Sequence, residues 1–167
     1  MVNNVPGHNP DLSKYSKVKQ LTPQKNLYVN PSWNLGIKQA ENELVCLLSD
    51  DINFNVDVLF NFVFQTSNLL GVFGLNVHSD FEIPYLTLGH NIGRGWGSAL
   101  FLKKSNYTPV PPQLKIWYGD NWICNTHFPY SYTIHYKVDA ELEVSSSSTD
   151  LHPIIEQDIN EWKKLRI

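Results

Sequence analysis

Two adjacent carboxylates end an apolar segment in the first third of the chain. Residues 44–48 read Leu-Val-Cys-Leu-Leu, and Ser49, Asp50 and Asp51 follow directly. Neighbouring anions repel each other unless water, hydrogen-bond donors or a metal ion compensates their charge. Paired carboxylates suit hard divalent cations, and magnesium typically takes one or two of them together with phosphate oxygens. The pair therefore indicates either a metal site or a turn in which one aspartate caps the following helix.

A further carboxylate, Asp120, lies in an aromatic segment. Residues 117–122 read Trp-Tyr-Gly-Asp-Asn-Trp. Aromatic neighbours exclude water, and desolvation raises the pKa of a carboxyl group, which is one way in which a general base is made. A turn built on Gly119 and Asp120 is the structural alternative.

A third candidate is the glycine-rich segment at residues 89–97, which reads Gly-His-Asn-Ile-Gly-Arg-Gly-Trp-Gly. It lacks the Lys-Ser/Thr ending of a phosphate-binding P-loop, and it does not match the dinucleotide-binding fingerprint. Two interpretations stay open. One is a mobile loop, and the other is a substrate-facing loop in which Trp96 offers a ring for stacking.

Composition excludes several classes of protein. The 167 residues are 42% hydrophobic and 17% charged, which is typical of one globular domain covering residues 1–167. The formal net charge of -3 gives no electrostatic footprint for nucleic acid. No apolar run approaches the roughly 18 to 20 residues of a membrane span. The start of the chain lacks the pattern of a signal peptide, and the two cysteines are expected to be free thiols, so we expect a cytoplasmic protein.

Helical and extended patterns alternate along the chain. The pattern predicts helices at residues 31–41, after Asn55 and from about Pro153, and strands at residues 17–21, 43–48, 69–77, 98–102 and within 130–144. The strand at residues 43–48 is apolar on both faces, as in a parallel sheet covered by helices. This alternation predicts an α/β sandwich, and ligands of open α/β sheets bind outside the carboxyl ends of the strands.

The order of these motifs carries a resemblance to a known family. Asn34, Gly36 and Ala40 form an Asn-x-Gly-x-x-x-Ala helix pattern before the strand that ends in Ser49-Asp50-Asp51. Downstream come a glycine-containing strand start with a basic pair at residues 97–104 and the Gly-Asp segment at residues 118–122. Over roughly residues 17–125 this series resembles the nucleotide-binding half of glycosyltransferases of the GT-A fold, especially the family 2-like enzymes.

The resemblance implies a GT-A-like, Rossmann-type mixed sheet sandwiched by helices and shortened at the N-terminus. Members of the family begin with a strand and a helix that contact the nucleotide base, and residues 1–15 are too few and too polar to supply both. The donor site is therefore expected to be incomplete or completed by another chain. The uncovered sheet edge is also expected to favour a homo-oligomer.

The resemblance further implies metal-dependent transfer of a sugar from a nucleotide-sugar donor to an acceptor hydroxyl of a glycan, lipid or protein, with inversion. Asp51 would bind Mn²⁺ or Mg²⁺, and Asp50 would help to hold the metal or the nucleotide sugar, which Asn34 would also contact. Asp120 would be the general base. The expected acceptor-binding residues are Trp96, Gly97 and Trp122.

Two positions depart from the family pattern. Ser49 replaces the first carboxylate of the Asp-x-Asp-type triplet, and Asn121 occupies an acidic position of the catalytic segment. These departures favour an alternative, a non-catalytic sugar- or protein-binding module on a degenerate GT-A fold. A nucleotidyltransferase, which also uses paired aspartates and magnesium, would not explain the Gly-Asp segment.

Overall fold

The computed structural model describes residues 1–4, 7, 10–50, 52–66, 68, 71–89, 96–140 and 151–165. In chain order, these residues form α1 (Val29–Gln39), β1 (Leu44–Leu48), β2 (Ile52–Asn53), α2 (Val56–Thr66), β3 (Val72–Asn76), β4 (Tyr85–Leu88), β5 (Ala99–Lys103), α3 (Gly119–His127), β6 (Ser131–His135), β7 (Asp139–Ala140) and α4 (His152–Leu165). Single turns of 3₁₀ helix at Trp96–Ser98 and Lys104–Asn106 flank β5.

A mixed five-stranded sheet has the order β1-β5-β3-β6-β4, and β2 and β7 form a separate two-stranded ribbon. Strand β5 is antiparallel to both β1 and β3, whereas β3 and β6 are parallel and β4 is antiparallel to β6. Strands β1, β3 and β6 therefore run in the same direction. Their carboxyl ends lie along one edge of the sheet, which we call the carboxyl edge.

Helices cover both faces of this sheet. On one face Ile37 of α1 and Ile123 of α3 belong to a buried cluster with Val45 and Leu100, and Trp162 of α4 packs against it. On the other face the α2 residues form a second buried cluster with the central strands, comprising Leu59, Val63, Phe73, Leu75, Phe101 and Ile134. The predicted α/β class with a mixed sheet between helices is thus confirmed, and the GT-A assignment stays a prediction.

The strand predicted at residues 43–48 is confirmed as β1, and both of its faces are covered, but the predicted parallel pairing is wrong. Within the described residues β1 is a terminal strand of the sheet and pairs antiparallel with β5. Leu48 at its end is 52% exposed. An apolar run does not by itself distinguish a central parallel strand from an edge strand whose two faces are covered by helices.

The other predicted elements agree in type with one exception. The helix expected after Asn55 is α2, and the Asn55 Oδ1 atom accepts a hydrogen bond from the Val58 N–H at 3.2 Å, as a helix cap does. The strand expected at residues 17–21 is absent, because only Leu21 pairs there, in a single parallel bridge with Val2. None of the described helices has both the length and the apolar character that a membrane crossing requires.

Trp96 fixes the way in which the chain enters β5. Its side chain is fully buried and its indole lies directly over Gly74 of β3. A Cβ atom at Gly74 would be 1.9 Å from the ring, so only glycine allows this approach. The indole Nε1–H donates to the carbonyl of Tyr132 at 3.2 Å, which satisfies the buried polar atom.

Candidate functional site

The carboxyl edge also collects the N-termini of three helices. Each of α1, α2 and α3 precedes a strand that runs toward this edge, namely β1, β3 and β6. The helix before such a strand crosses the sheet in the opposite direction. Its N-terminus therefore lies near the edge at which the strand ends. Ligands of open α/β sheets bind in this position. The predicted site residues are all expected there if they act together.

Gly97 and Asp120, two of the predicted site residues, are in contact. A Cβ atom at Gly97 would lie 3.2 Å from Oδ2 and 3.3 Å from Cβ of Asp120. Asp120 is in the first turn of α3, where a negative charge suits the helix dipole. The absent side chain at Gly97 therefore leaves the room that the Asp120 carboxylate occupies.

The segment that carries the paired aspartates adjoins the same turn. The Ser49 N–H donates to the Ser98 carbonyl at 2.8 Å, which extends the pairing of β1 and β5 by one step. Asp50 is exposed, and among the described residues its carboxylate has neither a hydrogen-bond nor an ion-pair partner. Asp51 lies outside the described residues. Asp50, Gly97 and Asp120 are thus gathered on neighbouring segments of the carboxyl edge.

The exposed carboxylate of Asp50 has the donor chemistry that suits a hard divalent cation. Carboxylate oxygens without competing partners can bind Mg²⁺ or Mn²⁺, which complete their coordination with phosphate oxygens and water. The part of the chain that is described contains no group of three or more His, Cys, Asp or Glu residues that could hold a metal. A site built on Asp50 and Asp51 would therefore depend on oxygens of a ligand, and it stays a prediction.

The side-chain amide of Asn34 forms hydrogen bonds with the segment before α3. Its Oδ1 atom accepts hydrogen bonds from the Tyr107 hydroxyl at 2.6 Å and from the Val110 N–H at 2.9 Å. Its Nδ2 atom donates to the Val110 carbonyl at 2.8 Å. Burial raises the pKa of Tyr107 to about 12, so this hydroxyl stays a donor. Both acceptor positions of Asn34 Oδ1 are thus occupied within the protein, and the amide joins α1 to the segment before α3. The predicted contact with a nucleotide sugar stays a prediction.

The two tryptophans expected on the acceptor side differ in exposure, since Trp96 is fully buried and Trp122 is half-buried. Trp96 is buried against Gly74 and has no exposed face. Trp122 follows Asp120 by two residues, which places it on the far side of α3. Its indole donates to the Thr108 carbonyl at 3.2 Å. The hydrophobic gain of burying a large ring accounts for the position of Trp96. Gly97, the third predicted acceptor residue, adjoins Asp120.

The rings expected around Asp120 are partly directed elsewhere. The Tyr118 ring stacks on Trp162 of α4, with ring centroids 5.0 Å apart and an angle of 4° between the planes. Trp117 is 39% exposed and meets Tyr118 edge to face. The aromatic segment thus anchors the start of α3 to α4.

Asp158 is a structural determinant of the site that the sequence analysis missed. It is completely buried in α4, and its two carboxylate oxygens accept hydrogen bonds from the backbone N–H groups of Lys115, Ile116 and Trp117 at 2.7, 2.7 and 2.8 Å. Charge-assisted bonds of this kind compensate a buried carboxylate. Because the bonded segment leads directly into α3, Asp158 fixes the position of Asp120. A carboxylate on the apolar face of α4 was the available signal.

Asn30 supports the same segment from the other side. It is fully buried in α1, its N–H donates to the Lys115 carbonyl at 2.9 Å, and its Nδ2 donates to the Trp117 carbonyl at 2.9 Å. Gly119 packs against it so closely that a Cβ atom there would be 2.0 Å from Asn30 Oδ1. The entry to α3 is therefore held between α1 and α4.

A polar groove lies beside the ribbon of β2 and β7. Its volume is about 330 Å³, and it is lined by Asn53, Phe54, Asn55, Glu82, Lys137, Val138 and Asp139. Lys137 and Glu82 form an ion pair across it at 3.0 Å. The lining residues come from three separate segments, so no local sequence pattern could have indicated the groove.

Comparison of the chain with protein-family models, with curated proteins and with solved structures finds no match.

Proposed function

We propose that the protein transfers a sugar from a nucleotide-sugar donor to an acceptor hydroxyl at the carboxyl edge. The observation that carries the proposal is the contact between Gly97 and Asp120, together with the hydrogen bond from Ser49 to Ser98. These two contacts bring the paired-aspartate segment and the candidate base to the same edge. Phosphate-binding and proton-accepting groups must lie close together for such a reaction.

In this proposal Asp120 is the general base. Its carboxylate accepts the proton of the acceptor hydroxyl while the hydroxyl oxygen forms a bond to the anomeric carbon. The bond from that carbon to the nucleotide diphosphate breaks on the opposite face, and the diphosphate leaves with the bonding electrons. Asp50 and Asp51 would hold the divalent cation, which when bound neutralises the charge of the diphosphate.

The contacts around the site also explain how Asp120 could be held for this task. Gly97 gives it space, and the bonds from Asp158 and Asn30 to the segment before α3 fix the helix that bears it. Positioning of this kind is a large part of enzymatic rate enhancement. The proposal therefore assigns chemistry to Asp120 and positioning to Asp158 and Asn30.

A non-catalytic sugar-binding module is the second candidate. The structural role of Asn34 and the burial of Trp96 favour it, because both remove predicted substrate contacts from the site. The polar groove favours it as well, since a groove of that composition can bind a ligand without a catalytic base.

A panel of nucleotide sugars, assayed with manganese or magnesium, separates the two candidates. The transferase proposal expects release of nucleoside diphosphate that depends on the cation and is faster than release without protein. Binding of a saccharide with no release of nucleoside diphosphate from any member of the panel would favour the module.

A further inference from the structure

The ribbon of β2 and β7 crosses the carboxyl edge. Ile52 pairs with Ala140 and Asn53 pairs with Asp139 in antiparallel register. Strand β2 begins three residues after Ser49, and β7 begins four residues after β6 ends. The ribbon thus connects the end of β1 with the end of β6. Since an extended chain advances about 3.3 Å per residue, Asn53 lies within roughly 10 Å of Asp50.

The two faces of the ribbon differ in chemistry. Ile52, Phe54 and Val138 pack against the buried cluster on the α2 side of the sheet. The residues that alternate with them are polar and exposed, as the side-chain period of extended chain requires, and they are Asn53, Asn55, Lys137 and Asp139. The apolar side therefore anchors the ribbon, and the polar side lines the groove together with Glu82 and with the parts of Phe54 and Val138 that are not buried.

The polar groups of the groove include both hydrogen-bond donors and hydrogen-bond acceptors. The amides of Asn53 and Asn55 donate and accept, the carboxylates of Glu82 and Asp139 accept, and the Lys137 ammonium donates. A ligand matched to this mixture must carry several groups that both donate and accept. Hydroxyl groups do so.

Charge narrows the class of ligand further. Two carboxylates face one ammonium, so an anionic ligand meets net repulsion. The ammonium in turn opposes a metal cation, and it stays protonated because the hydrogen bond from Lys137 to Glu82 raises its pKa. The Lys137 and Glu82 side chains are 53% and 77% exposed, and ion pairs this exposed contribute little to stability. Lys137 and Glu82 can therefore give up their mutual hydrogen bond and bind ligand hydroxyl groups instead.

We propose that this groove binds a neutral saccharide, with Asn53, Asn55, Glu82, Lys137 and Asp139 as the hydrogen-bonding residues and Phe54 as an apolar contact. A volume of about 330 Å³ is at the lower end of the range of small-molecule sites, which suits one or two sugar rings. The assignment of the saccharide as acceptor rests on the proposed function. Binding of the saccharide does not.

The test is a titration of the full chain, labelled with ¹⁵N, with lactose, maltose and cellobiose in the absence of nucleotide and metal. We expect shifts of the backbone amide signals of Asn53, Asn55, Lys137 and Asp139, with a Kd near 1 mM in order of magnitude for at least one sugar. Shifts confined to other parts of the chain, or none with any of the three sugars, overturn the proposal. Tighter binding of glucose 1-phosphate in the groove overturns the assignment to a neutral ligand.

Two variants make the test specific. Asn53→Ala combined with Glu82→Gln should weaken saccharide binding about tenfold or more while the melting temperature stays near that of the wild type, because both side chains are exposed. Glu161→Gln is the matched control, since Glu161 pairs with Lys164 at 2.7 Å on the remote helix α4. Equal saccharide affinity in the double variant and the wild type contradicts the proposal.

The outcome is separable from that of the proposed function. Saccharide binding in the groove without release of nucleoside diphosphate upholds this inference and refutes the transferase. Release of nucleoside diphosphate from a nucleotide sugar without saccharide binding in the groove upholds the transferase and refutes this inference.

Discussion

The buried carboxylate of Asp158 holds the backbone amide of Trp117 at 2.8 Å, and through it helix α4 fixes the entry to the helix that carries Asp120. The same carboxylate also binds the N–H groups of Lys115 and Ile116. One side chain thus satisfies three backbone donors in a segment without regular structure. Stability and site geometry both depend on it.

Asp158→Ala should lower the free energy of unfolding by about 3 kcal/mol or more, because it leaves three backbone donors without their acceptor. Urea denaturation measures the change. Asp57→Ala removes an exposed carboxylate from the first turn of α2 and should cost less than about 1 kcal/mol. A loss for Asp158→Ala no larger than that of the control would contradict the assigned role.

Gly74→Ala should destabilise the protein by about 1 to 3 kcal/mol, the range of overpacked cores, because the added methyl group would overlap the Trp96 ring. Thermal unfolding followed by tryptophan fluorescence measures this. Gly36→Ala is the matched control in α1. Its added Cβ would lie 3.7 Å from Cγ2 of Val2, an ordinary van der Waals distance, so it should stabilise the protein by about 0.5 to 1 kcal/mol. The same sign of change in both variants would contradict the close packing of Trp96 on Gly74.

His135 gives the protein a pH dependence of defined sign. Asn76 Oδ1 accepts a hydrogen bond from the His78 N–H at 3.1 Å, so Asn76 Nδ2 faces His135 Nδ1 as a donor at 3.4 Å. His135 Nδ1 must therefore be unprotonated, and Nε2–H donates to Thr87 at 3.0 Å. Burial lowers the pKa of His135, which agrees with this neutral form.

A histidine whose pKa is lower in the folded than in the unfolded state stabilises the fold fully above its unfolded pKa of about 6.5 and less as the pH falls below that value. The melting temperature of the wild type should therefore fall more between about pH 7 and pH 5.5 than that of His135→Gln. Parallel decreases in both proteins would show that His135 does not contribute to the pH dependence.

Local sequence patterns predicted the secondary-structure elements that depend on neighbouring residues in the sequence. The cap at Asn55 and the apolar spacing in α4 were sufficient for those two helices, and the alternation of elements was sufficient for the α/β class. Helix α3 was missed because its first residues, Gly119 and Asp120, are typical of a turn. It begins there because Asn30 and Asp158 hold the preceding segment. Both residues are distant in sequence, so the residues around Gly119 do not indicate either contact.

The meeting of three segments at one edge was easier to predict than the contacts of their residues. The resemblance to GT-A enzymes implied a common site for Asp50, Gly97 and Asp120, and the structure brings their segments to one edge. The sequence could not show that Trp96 packs on Gly74, or that Asn34 accepts hydrogen bonds from Tyr107 and Val110. Those partners are remote in sequence, and residue type alone does not distinguish a ligand contact from a packing contact.

If Asp120 is the base of a sugar transfer, its loss must slow the release of nucleoside diphosphate. The turnover number of Asp120→Asn measures this. Asp57→Asn, in the equivalent first turn of α2, is the control. We predict that Asp120→Asn lowers the turnover number by about a hundredfold or more, the usual scale of general base catalysis, while the melting temperature is unchanged. We predict no loss of turnover for Asp57→Asn. Equal turnover in the two folded variants would contradict it.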